Sequence, residues 1–276
     1  MRKSFIIFVK SKKYTIFALH MILELCDLYI GYAEDAGRHI VAETLSASLP
    51  KGVMACLVGA NGVGKSTLMR TLSGFHPALR GEVRIDGRAI EVYTPRELSE
   101  RVGVVLTERE NTPDLTVEEV VAIGRMPYTN FWGRLTNADH WAVDEAMTLV
   151  GIEHLRHKKI GRVSDGERQK AMIAKALAQQ TDIIFLDEPT AFLDYGSKVS
   201  VMRLLRRLAH EQGKAILLST HDLEIAFQTA DELWILQHDG LQTGTLDALE
   251  QRGAVSAFLA KSGLRYESEN RRIVFV

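Results

Sequence analysis

The stretch LVGANGVGKSTLMRTLSG, Leu57 to Gly74, constrains this chain more than any other. An apolar run, VMACLVG (Val53–Gly59), reads as a buried strand, and helical character resumes from about Lys65. Between them GANGVGKST (Gly59–Thr67) fits G-x-x-x-x-G-K-[ST] in the strand–loop–helix context that the pattern requires. The glycines, Gly59, Gly62 and Gly64, let the backbone turn its N–H groups around phosphate oxygens, where a Cβ would intrude. Lys65 can reach the outer phosphates, the Ser66 hydroxyl suits Mg²⁺, and the helix start adds its positive dipole end. An ordinary strand–turn–helix with GKS by chance would lack this match of motif to context. The loop is built for a nucleoside triphosphate, and by itself it names neither the base nor the purpose.

Two further apolar runs, IIFLDEP (Ile183–Pro189) and AILLST (Ala215–Thr220), read as buried strands, each followed by a turn or a helix. Strands alternating with helical patterns predict an α/β fold with a largely parallel sheet. ILELCDLYIGY, from Ile22, predicts a first strand of alternating character. IIFLDEP delivers Asp187 to the end of its strand, where an acid can hold a Mg²⁺ shell. Glu188 follows directly, and a carboxylate there can accept a proton from an attacking water. The plainer reading makes the pair a cap on the turn before Pro189.

From about Thr116 to Gln180 the pattern turns helical. TVEEVVAIGR opens with Thr116 as N-cap and Glu119 three residues on, a capping box. NADHWAVDEAMTLVGI has apolar residues at helical spacing and stops at Gly151. RVSDGERQKAMIAKAL starts a helix after Ser164, Asp165 and Gly166; alone, Ser-Asp-Gly-Glu is only a good N-cap sequence. Its place, after the helical stretch and just before IIFLDEP, makes it resemble the LSGGQ signature of ATP-binding cassette (ABC) ATPases. ILLSTHDL puts His221 just past a strand, similar to that family's switch histidine. The resemblance spans Ile22 to about Leu249, with motifs in the family's order.

The resemblance implies a P-loop NTPase fold with a RecA-like core, an antiparallel β subdomain and an inserted helical subdomain. It implies an ATP hydrolase whose cofactor is Mg²⁺. Tyr32 matches the aromatic that stacks on adenine, though core packing is its plainer role. Gly59, Asn61, Gly62, Gly64, Lys65, Ser66 and Thr67 match the phosphate loop. Asp187 with Ser66 matches the metal site, Glu188 the catalytic glutamate, and His221 the γ-phosphate contact. Asp194, in AFLD, matches an aspartate that works across a dimer. Ser164, Gly166 and Glu167 would act in trans, in a head-to-tail dimer that sandwiches ATP between one phosphate loop and the partner's signature helix. Two positions depart from the pattern. Thr107, followed by Glu108, stands where the family has a metal-contacting glutamine, and VSDGE replaces LSGGQ, with Asp165 bringing negative charge near the phosphates. With the other motifs intact, both read as tolerated variants.

VVLTER and GRMPYTNFWGRLT look like the ATP-binding subunits of iron-siderophore, haem and vitamin B12 importers. In these the helical subdomain docks a short helix of a separate permease, fed by an external binding protein, and the chain sits on the cytoplasmic side of the inner membrane. Tyr128, Phe131 and Trp132 in the Met126–Thr136 loop would shape that surface, or else pack beneath the loop. An exporter's ATPase or a soluble non-transport ABC protein are the alternatives. The formal net charge of −1 and the single motif set argue against nucleic-acid partners and tandem ATPases. No apolar stretch reaches the ~18 residues of a spanning helix. Two cysteines, Cys26 and Cys56, cannot build a disulfide framework and fit a reduced setting. The expected organisation is an extension over 1–20, the ATPase over 21–250 with its helical insert at about 108–180, and a small appendage over 251–276. Two short strands around ESEN are expected in that tail.

Overall fold

The computed structural model describes residues 21–34, 37–106, 114–130, 132–270 and 272–275. The extension over 1–20, Thr107, Glu108 and Phe131 lie outside the described residues. A six-stranded sheet forms the centre. Its order runs Gly240–Gly244, Glu232–Gln237, Met54–Val58, Ala215–Ser219, Ile183–Leu186, Val102–Val105. All neighbours are parallel except the first pair, an antiparallel hairpin at the edge.

The apolar runs are continuous because this sheet is covered on both faces. Alternate residues of each inner strand enter two different cores. Met54, Cys56, Ile184, Leu186, Ile216, Leu218, Leu233 and Ile235 pack beneath the helices. Ala55, Leu57, Ile183, Phe185, Ala215, Leu217, Trp234 and Leu236 pack on the other side. There they meet Leu68, Met69 and Leu72 of the helix Lys65–Leu72 and the apolar face of a second sheet. That second sheet is antiparallel: Gly37–Pro50, Met21–Glu34, Arg80–Ile85 and Arg88–Ala89. The first strand is longer than ILELCDLYIGY because it pairs along its length with Gly37–Pro50.

The predicted helical insert folds as Val117–Ala122, Asn137–Val150 and Asp165–Ala178. Each starts on a complete capping box: Thr116 with Glu119, Thr136 with Asp139, Ser164 with Glu167. Each box satisfies two N–H groups that a bare helix end leaves unpaired. The tail forms the strands Leu264–Glu267 and Arg272–Phe275. Its Val255, Leu259 and Tyr266 join the core beneath the helices, and Tyr266 meets the Phe227 ring edge-on at 5.7 Å.

Candidate functional site: a phosphate loop at the carboxyl ends of parallel strands

Three loops leave the carboxyl ends of neighbouring parallel strands, the edge where open α/β sheets build ligand sites. Gly59–Gly64 follows Met54–Val58, Asp187-Glu188 follows Ile183–Leu186, and His221 follows Ala215–Ser219. Gly64 is at φ 105 and precedes Lys65–Leu72 with no side-chain cap on the helix start. A Cβ on Gly64 would lie 2.4 Å from Val41 Cγ1, and one on Gly59 would lie 2.6 Å from the Leu236 carbonyl. The loop is therefore pressed between two sheets, with its helix-end N–H groups left for an anion.

Lys65 is buried, its Nζ donating to the carbonyls of Gly59 at 2.8 Å and Ala60 at 3.1 Å. Burial pushes its ammonium pKa down, while the Glu188 and Asp187 carboxylates pull it up. Both acids thus lie near enough to act on the lysine's charge. Ser219 ties them in place. Its hydroxyl donates to Asp187 Oδ1 at 2.6 Å and accepts from the Glu188 backbone N–H at 2.9 Å. Sequence reading missed Ser219, because its role depends on its strand lying between the other two. Its hydroxyl in LLSTHD was the available signal.

Glu188 sits at φ 47, a left-handed conformation that is unusual for a residue with a Cβ. Its Oε1 lies 2.5 Å from His221 Nε2. Strain of this kind costs on the order of 1–3 kcal/mol and gathers where geometry serves chemistry. Asn61 and Ser66 are exposed, whereas Thr67 is buried. Thr67 Oγ1 meets the Tyr32 hydroxyl at 3.0 Å, so the Tyr32 ring, 39% exposed, stands over the start of the loop helix. His76 stacks obliquely on that ring at 5.0 Å and is anchored to the Gly31 carbonyl at 2.8 Å; it too was missed.

Ser164, Gly166, Glu167 and Asp194 form a second cluster. The Glu167 carboxylate accepts from Ser164 N at 2.8 Å and Ser164 Oγ at 3.0 Å, bonds that hold it below the usual carboxylate range. Asp194 caps the helix Tyr195–Gln212 through Ser197 N at 3.0 Å and Ser197 Oγ at 2.6 Å, with the same effect on its pKa. A Cβ on Gly166 would lie 3.2 Å from Ser197 Oγ. The signature and the Asp194 loop therefore share one surface.

In the aromatic loop the two readings divide between residues. The Tyr128 hydroxyl donates to the Gln179 carbonyl at 2.9 Å, and its ring lies 4.0 Å from the Arg125 guanidinium, beneath the loop. Trp132 is 78% exposed. Among the described residues, no helix is long and apolar enough to cross a membrane.

Comparison with known proteins agrees with this architecture. A family model described as ABC transporter matches residues 42–191. An uncharacterized ABC transporter ATP-binding protein of Methanocaldococcus jannaschii is 41% identical over 217 residues, 79% of this chain and 73% of that one. The ferric enterobactin transport ATP-binding protein of Escherichia coli is 39% identical over 210 residues, 76% of each chain. The iron(3+)-hydroxamate import ATP-binding protein of Bacillus subtilis is 37% identical over 199 residues, 72% of each chain. Among solved structures, a subunit of a Clostridium perfringens ABC transporter complex superposes with a TM-score of 0.74 at 27% identity, covering 86% of this chain and 93% of that one. A bacterial ABC transporter cassette solved as a dimer gives 0.70 at 24% identity, covering 82% and 99%. The chain belongs to the ABC transporter family of ATP-binding ATPases.

Proposed function

We propose that this chain is the ATPase subunit of an importer for iron-chelate cargo, working as a dimer on the cytoplasmic face of the inner membrane beneath a separate permease. The convergence of Lys65, Asp187, Glu188 and His221 on one sheet edge carries the ATPase half of this reading. Relatives named for ferric enterobactin, iron(3+)-hydroxamate and petrobactin support the cargo class.

ATP enters with its phosphates on the Gly59–Thr67 loop and its adenine against Tyr32. Lys65 exchanges its carbonyl partners for phosphate oxygens. Ser66 and Asp187 offer one hydroxyl and one carboxylate, the hard oxygen set that suits Mg²⁺ when phosphates complete the shell. Bound there, the ion would neutralise charge on the phosphate oxygens. Glu188 accepts a proton from the attacking water. His221, touching the same carboxylate, aims it and then steadies charge on the γ-phosphate. Ser164, Gly166 and Glu167 present a capped helix start to the γ-phosphate of the second copy, and Asp194 works across the same interface. Loss of the γ-phosphate removes that contact and opens the pair.

The permease surface we assign is an apolar groove of about 540 Å³ lined by Phe75, Ile90, Tyr93, Leu98, Val102 and Gln179. Phe75 is 62% exposed. Gln179 links the groove to the Tyr128 loop, where Met126 and Trp132 extend the apolar surface outward. An external binding protein delivers cargo to the permease. The test reconstitutes the chain with its permease and binding protein in vesicles and measures ATP-driven uptake. Ferric catecholate or hydroxamate uptake is expected. Uptake of haem or cobalamin alone would overturn the cargo class, and ATP-driven export would overturn the direction.

A further inference from the structure

The Tyr32 ring stands near the end of the strand Met21–Glu34 and is held at two points. Its hydroxyl meets Thr67 Oγ1 at 3.0 Å, which ties the tip of the side chain to the first turn of the helix Lys65–Leu72. His76 supplies the second hold. It lies just past the other end of the same helix, where its backbone N–H donates to the Arg70 carbonyl at 3.3 Å. Its ring is half-buried and sits 5.0 Å from the Tyr32 ring, tilted by 52°, a favourable arrangement for an aromatic pair. His76 Nε2 lies 2.8 Å from the Gly31 carbonyl. A carbonyl can only accept, so Nε2 carries a proton and donates it. The anchor itself has little room to move. A Cβ on Gly31 would lie 2.0 Å from the His39 carbonyl, on the neighbouring strand Gly37–Pro50.

We infer that His76 is a positioning residue for the nucleotide base: it fixes the Tyr32 ring in the orientation on which the base stacks. The inference rests on the adenine contact proposed above for Tyr32. Both holds on that ring come from the helix that carries the phosphate loop, Thr67 from its first turn and His76 from just beyond its last. The base platform and the phosphate cradle are thereby one rigid piece. A nucleotide that meets both finds their spacing already set, so less ordering has to be supplied when it binds. His76 works at the base end alone. Its bonds and ring contact go to Arg70, Gly31 and Tyr32, and among the described residues none goes to Lys65, Asp187, Glu188 or His221. Losing it therefore loosens the hold on the base and leaves the phosphate chemistry in place.

The test compares a ligand that has a base with one that has none. ATP and inorganic triphosphate, each with Mg²⁺, are titrated into the chain in a Glu188→Gln background that stops turnover. His76→Ala is expected to weaken ATP by about threefold to tenfold, the size of one lost ring pair, and to leave triphosphate within about twofold. His76→Phe keeps a ring beside Tyr32 without the bond to Gly31, and its ATP affinity is expected to fall between the two. With Glu188 restored, KM for ATP rises in His76→Ala by the same factor while kcat holds. Equal weakening of ATP and triphosphate in both variants would make His76 a support of the helix rather than of the base, and would overturn the inference. Unaltered ATP affinity in His76→Ala, with affinity lost in Tyr32→Ala, overturns it and leaves the Tyr32 contact standing. Unaltered ATP affinity in both overturns the Tyr32 contact as well.

Discussion

Arg125 is the residue whose removal the structure prices most directly. It is 5% exposed and its partner Asp139 3%. Arg125 Nε donates to Asp139 Oδ1 at 2.8 Å, and one terminal nitrogen donates to the Ala178 carbonyl at 2.7 Å and to Gln180 Oε1 at 2.9 Å. Asp139 accepts from Thr136 N at 2.8 Å and Thr136 Oγ1 at 2.7 Å. One side chain thus joins two helices and satisfies a carbonyl at the end of Asp165–Ala178, the helix that begins at the signature. Breaking a buried pair on one side costs about 3–5 kcal/mol. Thr136 still serves Asp139 after Arg125→Ala, which places the loss near the lower end, at about 3 kcal/mol. Hydrogen exchange along Asn137–Val150 and Asp165–Ala178 reads this as a fall in protection of about 100-fold. Arg125→Lys keeps charge but not the planar fork, and recovers only part of the loss. A change below about fivefold in Arg125→Ala would show that this pair does not hold the two helices together.

Three other outcomes follow from local geometry. Asp139 titrates at about 2 instead of its ordinary 3.8, held down first by hydrogen bonds from Thr136 and then by Arg125. A depressed folded pKa stabilises above the unfolded value, so this contribution is present at neutral pH and is lost as pH falls from about 4 to about 2. Acid unfolding of the helical insert should show that slope, and Asp139→Asn should flatten it. Gly64→Ala meets Val41 at 2.4 Å while holding φ 105, so it should destabilise by about 1–3 kcal/mol in thermal melts and weaken ATP binding in titrations. Ser219→Ala removes the hydroxyl that serves both acids, and the half-buried N–H of Glu188 is left without it. A stability loss of about 1–3 kcal/mol and a fall in ATP turnover of about tenfold or more are expected; unchanged turnover would separate Ser219 from the chemistry.

The strand–loop–helix that carries the glycine-rich motif was legible in the sequence because its signals are local: the glycines, the lysine and the flanking strand and helix lie within Val53–Gly74. The inner strands were legible because burial on both faces leaves unbroken apolar runs, and the helix starts because a capping box spans four residues. What depended on strand order was not legible. Ser219 reaches Asp187 only because Ala215–Ser219 lies between the strands of the phosphate loop and the acids. Arg125 finds partners 14, 53 and 55 residues away, which no periodicity announces. Tyr128 and Trp132 read alike in sequence and differ in exposure, and the Gln179 carbonyl that holds Tyr128, beside the Arg125 guanidinium, lies far along the chain at another helix's end.

If ATP is cleaved by the groups gathered at the carboxyl end of the sheet, the purified chain with Mg²⁺ turns over ATP and loses that turnover when those groups are changed. The measurement sets the unaltered chain beside Lys65→Ala and Glu188→Gln. Turnover is expected in the unaltered chain, despite Thr107 and Asp165. A loss of about 100-fold to 10,000-fold is expected in Glu188→Gln with ATP binding retained, and loss of both in Lys65→Ala. Turnover in the unaltered chain equal to that of Lys65→Ala would contradict it.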